Sequence, residues 1–168
     1  MGFLEIQASE VTGNFFDKIG RQWMLVGTKH KDSANLMTAS WGGAGILWNK
    51  PAAFIFIRKS RLTHDILEQE TGFSLTFYGD GYRSELGICG SKSGRDMDKA
   101  DACGFTVAFD GDIPYTEEAE LVLICRKKGM APIGPDAILD PSIVDGFYSD
   151  NDFHDLYIGE ITKVLIRE

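Results

Sequence analysis

The residue types best suited to chemistry cluster between Asn35 and Thr63. Arg58, Lys59, Ser60, Arg61 and Thr63 place three cations and two hydroxyls within six residues. They follow the apolar run Ala53–Ile57, which reads as a strand, and lead into Leu62, Ile66 and Leu67, which read as one face of a helix. A strand that turns into a helix start presents free backbone N–H groups and the positive end of a dipole, a setting suited to a phosphate. One strand and turn earlier stands Asn35-Leu-Met-Thr38-Ala39-Ser40-Trp41-Gly-Gly. One reading is a strand end with a buried indole. The other is a wall for a flat aromatic ligand, where small residues admit close approach to the backbone and hydroxyls satisfy ring heteroatoms. Beside the cationic cluster, the second reading makes a nucleotide site.

Ser91-Lys-Ser93-Gly-Arg-Asp-Met-Asp-Lys99 is a second polar loop. It reads either as a helix start capped by Ser93, with Asp96 at the third helical position, or as a loop reaching a cofactor. The histidines are scattered. His30 falls in a hairpin-like Lys-His-Lys-Asp, His64 follows the cationic cluster, and His154 precedes the long apolar C-terminal segment. Their spacing gives no metal signature, and no metal is expected. Cys89, Cys103 and Cys125 form no Cys-x-x-Cys pair, which argues against a disulfide framework and a zinc site. Cys125, in Leu-Val-Leu-Ile-Cys, reads as a small core hydrophobe. No Walker loop, Gly-x-Ser-x-Gly elbow or His-Glu-x-x-His is present, and Gly79-Asp-Gly81-Tyr-Arg-Ser lacks the last glycine of a dinucleotide fingerprint.

The net charge of −8 is uneven: residues 1–99 hold 12 Lys/Arg and 11 Asp/Glu, whereas residues 100–168 hold 5 and 14. Such a chain should repel nucleic acid, whose binding rests on phosphate neutralisation. No run approaches the roughly 18 apolar residues of a membrane span. Met-Gly-Phe-Leu-Glu has neither the basic nor the apolar region of a signal peptide, so a cytoplasmic address is expected.

The elements that must position these residues read as mostly strands. Candidates are Trp23–Thr28, Leu36–Ser40, Gly45–Trp48, Ala53–Ile57, Phe73–Tyr78, Leu121–Lys127 and Leu156–Ile166, the last, apolar on both faces, reading either as a central strand or as one that bends at Gly159. Short helices are predicted over Arg61–Glu70, Tyr82–Cys89 and Arg95–Cys103. Gly129–Asp155, rich in Pro, Asp and Gly, reads as a long irregular surface excursion. At 168 residues with no linker or repeat, one domain over 1–168 is expected. Strands outnumber helices without regular alternation, which favours a β-barrel with flanking helices over a doubly wound sheet.

Three segments together, Asn35–Trp41, Arg58–Thr63 and Ser91–Lys99, resemble the motifs of flavin reductase-like, FMN-binding split-barrel proteins, a group that includes flavoredoxin and flavin reductase components. His154-Asp-Leu-Tyr-Ile-Gly-Glu160 resembles that family's closing strand. The resemblance implies a Greek-key split β-barrel, mainly β with flanking helices, and a homodimer with flavin near the subunit interface. By position it implies that Asn35 belongs to the site and that Thr38, Ala39, Ser40 and Trp41 line the isoalloxazine. Arg58, Ser60, Arg61 and Thr63, assisted by Lys59, would hold the phosphate. Ser93 and Lys99 would lie toward the cofactor or nicotinamide, and His154 beside the flavin ring as the one catalytic candidate. FMN is expected ahead of FAD, with NAD(P)H as co-substrate.

The expected function is therefore an FMN-dependent oxidoreductase. Electrons would pass from NAD(P)H or a reduced protein partner through bound flavin to free flavin, a small acceptor or another protein. Two alternatives stand beside it: a flavoredoxin-type electron carrier without direct NAD(P)H activity, and a non-catalytic nucleotide-binding module. A purely structural dimerisation domain would leave three cations at one strand end unexplained.

Overall fold

The computed structural model describes residues 2–168. Its strands are β1 (Phe3–Ile6), β2 (Met24–His30), β3 (Ser33–Ala39), β4 (Gly42–Leu47), β5 (Lys50–Arg58), β6 (Gly72–Phe77), β7 (Val107–Asp110), β8 (Ile113–Thr116), β9 (Leu121–Ile133) and β10 (His154–Arg167). The α-helices are α1 (Phe15–Asp17), α2 (Leu62–Leu67), α3 (Arg83–Ser91), α4 (Lys99–Cys103) and α5 (Pro141–Phe147).

One antiparallel sheet runs β3-β2-β6-β9-β10-β5-β4, and β1 adds to β10; β7 and β8 form a separate hairpin. The sheet ends, β3 and β4, are consecutive in sequence and joined only by Ser40 and Trp41, with no ladder between them. The sheet thus curls back on itself at that corner without closing, the mainly β split-barrel arrangement expected from the sequence. Gly42 makes the corner feasible. Its φ is +145°, and a Cβ there would stand 2.6 Å from the Phe54 carbonyl oxygen and 3.1 Å from the Met24 methyl. The β4–β5 hairpin turns through Trp48 and Asn49, both at positive φ (52° and 56°), as a two-residue hairpin loop requires.

The strands alternate between two apolar faces. Met24, Val26, Ile55, Ile57, Phe73, Leu75, Leu121, Leu123, Cys125 and Tyr157 fill the inside of the curl. Leu25, Leu36, Val122 and Ile124 point outward, covered by α3, α4 and the β7–β8 hairpin through Leu86, Cys89, Ala100 and Ile113. Burial on both faces explains why Leu121–Cys125 shows no polar alternation. β10 carries β9 along its length on one side. On the other, β5 pairs with His154–Glu160 and β1 with Val164–Arg167. Its register shifts at Ile158/Gly159, where a bend was one of the two readings.

Two expectations need correction. Residues 129–155 are not one irregular excursion. β9 continues to Ile133 because its end pairs with β10 (Met130 opposite Tyr157), and α5 follows, started by Pro141 and capped by the Asp140 carboxylate, which accepts the Ser142 N–H. Nor does Ser93 cap a helix. Its hydroxyl accepts the Arg95 N–H in a local turn, and α4 starts only at Lys99, where Asp98 accepts the Asp101 N–H. Two capping residues competed there, and the one leading the apolar-periodic stretch won.

Candidate functional site

The register His154 opposite Arg58 brings the end of β5 beside the start of β10. The β3–β4 corner lies against the same place. Between them is an open cleft of about 210 Å³ lined by Met37, Thr38, Ala39, Ser40, Trp41, Phe56, Arg58, Arg61 and His154. Seven of these were expected from the sequence. Phe56 was not, although it lies two residues before Arg58 on the same face of β5. Met37, buried at the corner, was also missed.

The cations are already engaged. The Arg58 guanidinium donates to the carbonyls of Asp152 (2.7 Å) and Phe147 (3.0 Å) and lies over the Tyr148 ring at 5.3 Å. Arg61 donates to the carbonyls of Gly90 (2.8 Å) and Cys89 (3.5 Å) near the end of α3. Burial, and Arg95 nearby, lower the Arg61 pKa, while Asp152 opposes the change. A guanidinium has five N–H donors, so each arginine keeps donors for a ligand.

His154 is 7% exposed. Its Nδ1 lies 2.7 Å from the Tyr148 hydroxyl, and its ring stands 5.0 Å from that of Trp41. Burial first and the Arg58 charge second depress its pKa to about 4, with Asp152 pulling the other way, so the imidazole is neutral at pH 7. A neutral ring that accepts the Tyr148 O–H at Nδ1 keeps Nε2–H as a donor. Trp41, 41% exposed, packs edge-on against Phe147 of α5 at 5.4 Å. Thr38 donates its hydroxyl to the Leu86 carbonyl (2.5 Å), which leaves its lone pairs as acceptors.

The remaining predicted residues lie around the cleft and do not line it. Asn35 and Thr63 are buried and joined to each other: the Asn35 amide donates to Thr63 Oγ1 (2.9 Å) and Thr28 Oγ1 (3.3 Å), tying β3 to α2. Lys59 reaches Asp155 at 3.8 Å. Ser60 gives its backbone N–H (3.1 Å) and its hydroxyl (2.5 Å) to the Asp152 carboxylate. Lys99 is buried and donates to the Cys89 carbonyl (2.9 Å). Burial, then Arg61, lower its pKa to about 8. Ser93 stays in its local turn.

The acidic segment before β10 was the least legible part of the site. Phe147, Tyr148, Asp150 and Asp152 form a strap beside the cleft, with Asp150 3.7 Å from Arg58 and Tyr148 stacked on Phe153 at 4.7 Å. The aromatic spacing in Phe147-Tyr148…Phe153 was the available signal.

The model of the flavin reductase like domain matches residues 16–168. Among solved structures, the chain is similar to flavoredoxin from Methanosarcina acetivorans at 24% identity, covering 88% of this chain and 69% of that one, with a TM-score of 0.70. It is similar to an FMN-binding protein from Thermus thermophilus with bound p-hydroxybenzaldehyde at 22% identity (97% and 81% covered, TM-score 0.71). The NADH:FAD oxidoreductase SgcE6 of Streptomyces globisporus is similar at 16% identity (87% and 74%, TM-score 0.66). Likeness at these identities establishes the shared fold. Among curated proteins, none matches the chain. With the family model covering nearly the whole chain and the split barrel it describes in place, the chain belongs to the flavin reductase-like family.

Proposed function

We propose that this chain is an FMN-binding oxidoreductase that accepts electrons from NAD(P)H or a reduced protein and passes them to a flavin, a small acceptor or a protein. The observation that carries the reading is the cleft at the β3–β4 corner. In a chain of this family, it gathers two hydroxyls, an indole, a neutral imidazole and two guanidinium groups on one wall. The donor set fits a flavin mononucleotide. Thr38, Ala39 and Ser40 give a low-relief edge with acceptors and donors for a heteroaromatic ring, and Trp41 and His154 bound its face. Arg61, with spare donors and the first amides of α2 beside it, suits the phosphate. Bound FMN would supply hydride acceptance and electron transfer, while the protein supplies binding and orientation.

The chain's own residues then have defined parts. Arg61 fixes the anionic end, and the α3 carbonyls hold its fork in place. His154, kept neutral, donates a hydrogen bond without adding charge beside the ring. Trp41, braced by Phe147, forms one side of the open cleft. Because Ser60 and Arg58 are engaged by the strap, the phosphate assignment rests on Arg61 ahead of Ser60, Lys59 and Thr63.

A second reading, an electron carrier of the flavoredoxin type, is favoured by the strap. Asp150 and Asp152 put carboxylates beside the cleft, where a basic protein donor or acceptor would dock. The deciding experiment is a visible spectrum of the protein after FMN loading and desalting, followed by anaerobic NADH or NADPH. Retained flavin that bleaches supports a pyridine-nucleotide oxidoreductase. Retained flavin that stays yellow supports the carrier. Loss of flavin together with absent turnover of free FMN would overturn both and leave a module for another nucleotide.

A further inference from the structure

We propose that His64, Glu68 and Asp155 form a binding site for a divalent transition-metal cation, a clasp between α2 and β10 behind the cleft. One ligand atom from each residue lies within 4.8 Å of the other two. His64 Nε2 is hydrogen-bonded to Asp155 Oδ2 at 2.7 Å and lies 4.0 Å from Glu68 Oε1, so a bound cation would take the place of the shared proton. Zinc bonds to nitrogen and oxygen are about 2.0–2.2 Å, which sets ligand atoms roughly 3.0–3.5 Å apart. His64 and Asp155 must part slightly to admit the ion, and the Glu68 carboxylate, at the end of a short helix with its side chain 47% exposed, must move inward.

An independent observation points to a cation. Asp155 is 4% exposed, and its Oδ1 is buried without a hydrogen-bond partner. A buried, unsatisfied carboxylate oxygen is costly, and a directly bound cation removes that cost. The nearest positive group is the Lys59 ammonium at 3.8 Å, on a side chain more than half exposed.

The surroundings match what metal ligands require. Glu68 Oε1, the oxygen 4.0 Å from His64 Nε2, accepts the Tyr157 hydroxyl (2.6 Å), which orients the carboxylate, and a carboxylate oxygen keeps a second lone pair for a cation. His64 Nδ1 faces the Asp65 carboxylate at 4.0 Å, and Arg95 holds that carboxylate in turn (2.5 Å). At 4.0 Å the approach of Nδ1 to Asp65 is a contact and not a hydrogen bond; an outer carboxylate near the second nitrogen is a common feature of ligating imidazoles. One imidazole and two carboxylates suit Zn²⁺, Mn²⁺ or Fe²⁺ over Ca²⁺ or Cu⁺, and three protein ligands leave a further position for water. Only the helical i,i+4 spacing of His64 and Glu68 hints at the site in the sequence, because Asp155 arrives from the other end of the chain.

Placement gives the site a consequence. Asp155 follows His154 on β10, with the two on opposite faces, and His64 lies one helical turn after Arg61. A metal held there would fasten both walls of the cleft from behind without entering it.

The test is titration of chelator-treated, dialysed protein with Co²⁺, read by its visible d–d bands, and with Zn²⁺ as competitor. One saturating site with nitrogen/oxygen-type bands, displaced by Zn²⁺, is expected. His64→Ala and Glu68→Gln should each abolish saturation while far-UV circular dichroism stays native. Tyr157→Phe should weaken binding about tenfold, as loss of an outer-sphere partner does. Lys59→Met, which removes the competing ammonium, should tighten it several-fold. Thiolate charge-transfer absorption would assign the metal to the cysteines. That result, an absence of saturable binding, or undiminished binding in both ligand variants would overturn the proposal. None of these readouts uses flavin, so the clasp can fail while the FMN reading stands, and the reverse.

Discussion

At the scale of single residues, His154 makes the most direct claim. Its pKa falls from the ordinary 6.5 to about 4 in the fold, because burial and Arg58 disfavour the imidazolium. The unfolded chain binds a proton near pH 6.5 that the folded chain refuses until about pH 4. Stability must therefore drop as pH is lowered through that window, by roughly 2–3 kcal/mol, and the contribution is fully present above it. Urea unfolding at pH 7 and at pH 4.5 measures this. His154→Gln should lack that part of the pH dependence, whereas the carboxylate contributions at lower pH remain common to both proteins. Equal pH dependence in the two would mean the ring is not held neutral. Arg61 carries a separate prediction: Arg61→Ala should weaken FMN binding by about 1–3 kcal/mol through loss of charge-assisted hydrogen bonds. A fluorescence titration that returns an unchanged dissociation constant would remove Arg61 from the phosphate assignment. The cationic cluster was legible in the sequence, but its division of labour was not. Residues adjacent in a strand or turn point to different sides, so Arg58 and Arg61 reach the cleft while Lys59 and Ser60 are taken by Asp155 and Asp152.

At the scale of elements, β10 shows how far sequence reading carried. Its length and its two apolar faces were readable, since a strand buried on both sides shows continuous apolar residues; Gly159 left open a central strand or a bend, and β10 has both a central place and a register shift there. The physical reason for the bend appears only in the packed structure. A Cβ on Gly159 would stand 2.7 Å from Phe73 Cζ and 2.9 Å from Cys125 Cβ, inside the curl of the sheet. Gly159→Ala should therefore destabilise the protein by about 1–3 kcal/mol through overpacking. Gly43→Ala is the matched control, because a Cβ there meets nothing within 4 Å. The comparison is the difference in urea midpoint at constant slope, and equal midpoints would place the bend's cause elsewhere. β1, β7, β8 and α5 went unread for a common reason. The three strands have four residues each, and α5 has seven, so none is long enough to show its own periodicity; they exist through pairing or capping. The strap between α5 and β10 was readable as acidic, but its docking on Arg58 and Ser60 depends on long-range contacts that composition does not encode.

At the scale of the whole molecule, the distribution of exposed apolar groups is the property left to explain. Phe16 is 92% exposed, Ile46 71% and Trp48 62%, and Trp41 is partly open beside them. Phe16, Trp41 and the start of β4 line one hollow, and Ile46 belongs to an adjoining apolar hollow with Val11, Phe15 and Pro51. Phe16, Trp41 and Ile46 border the free edge of β4, next to the corner that bears the cleft, whereas Trp48 reaches from the β4–β5 turn toward Gly129 of β9. Large apolar side chains grouped along an unpaired edge are an aggregation hazard unless another surface covers them. Were a second copy of the chain to supply that cover, it would also bring a partner surface to the open side of the cleft. Sedimentation equilibrium should then show a dimer, and Ile46→Glu combined with Phe16→Glu should give a folded monomer. Because the proposed interface adjoins Ser40 and Trp41, that monomer should also retain less FMN on desalting than the parent protein. A monomer that keeps its flavin fully would place the cleft within one subunit and separate assembly from cofactor binding.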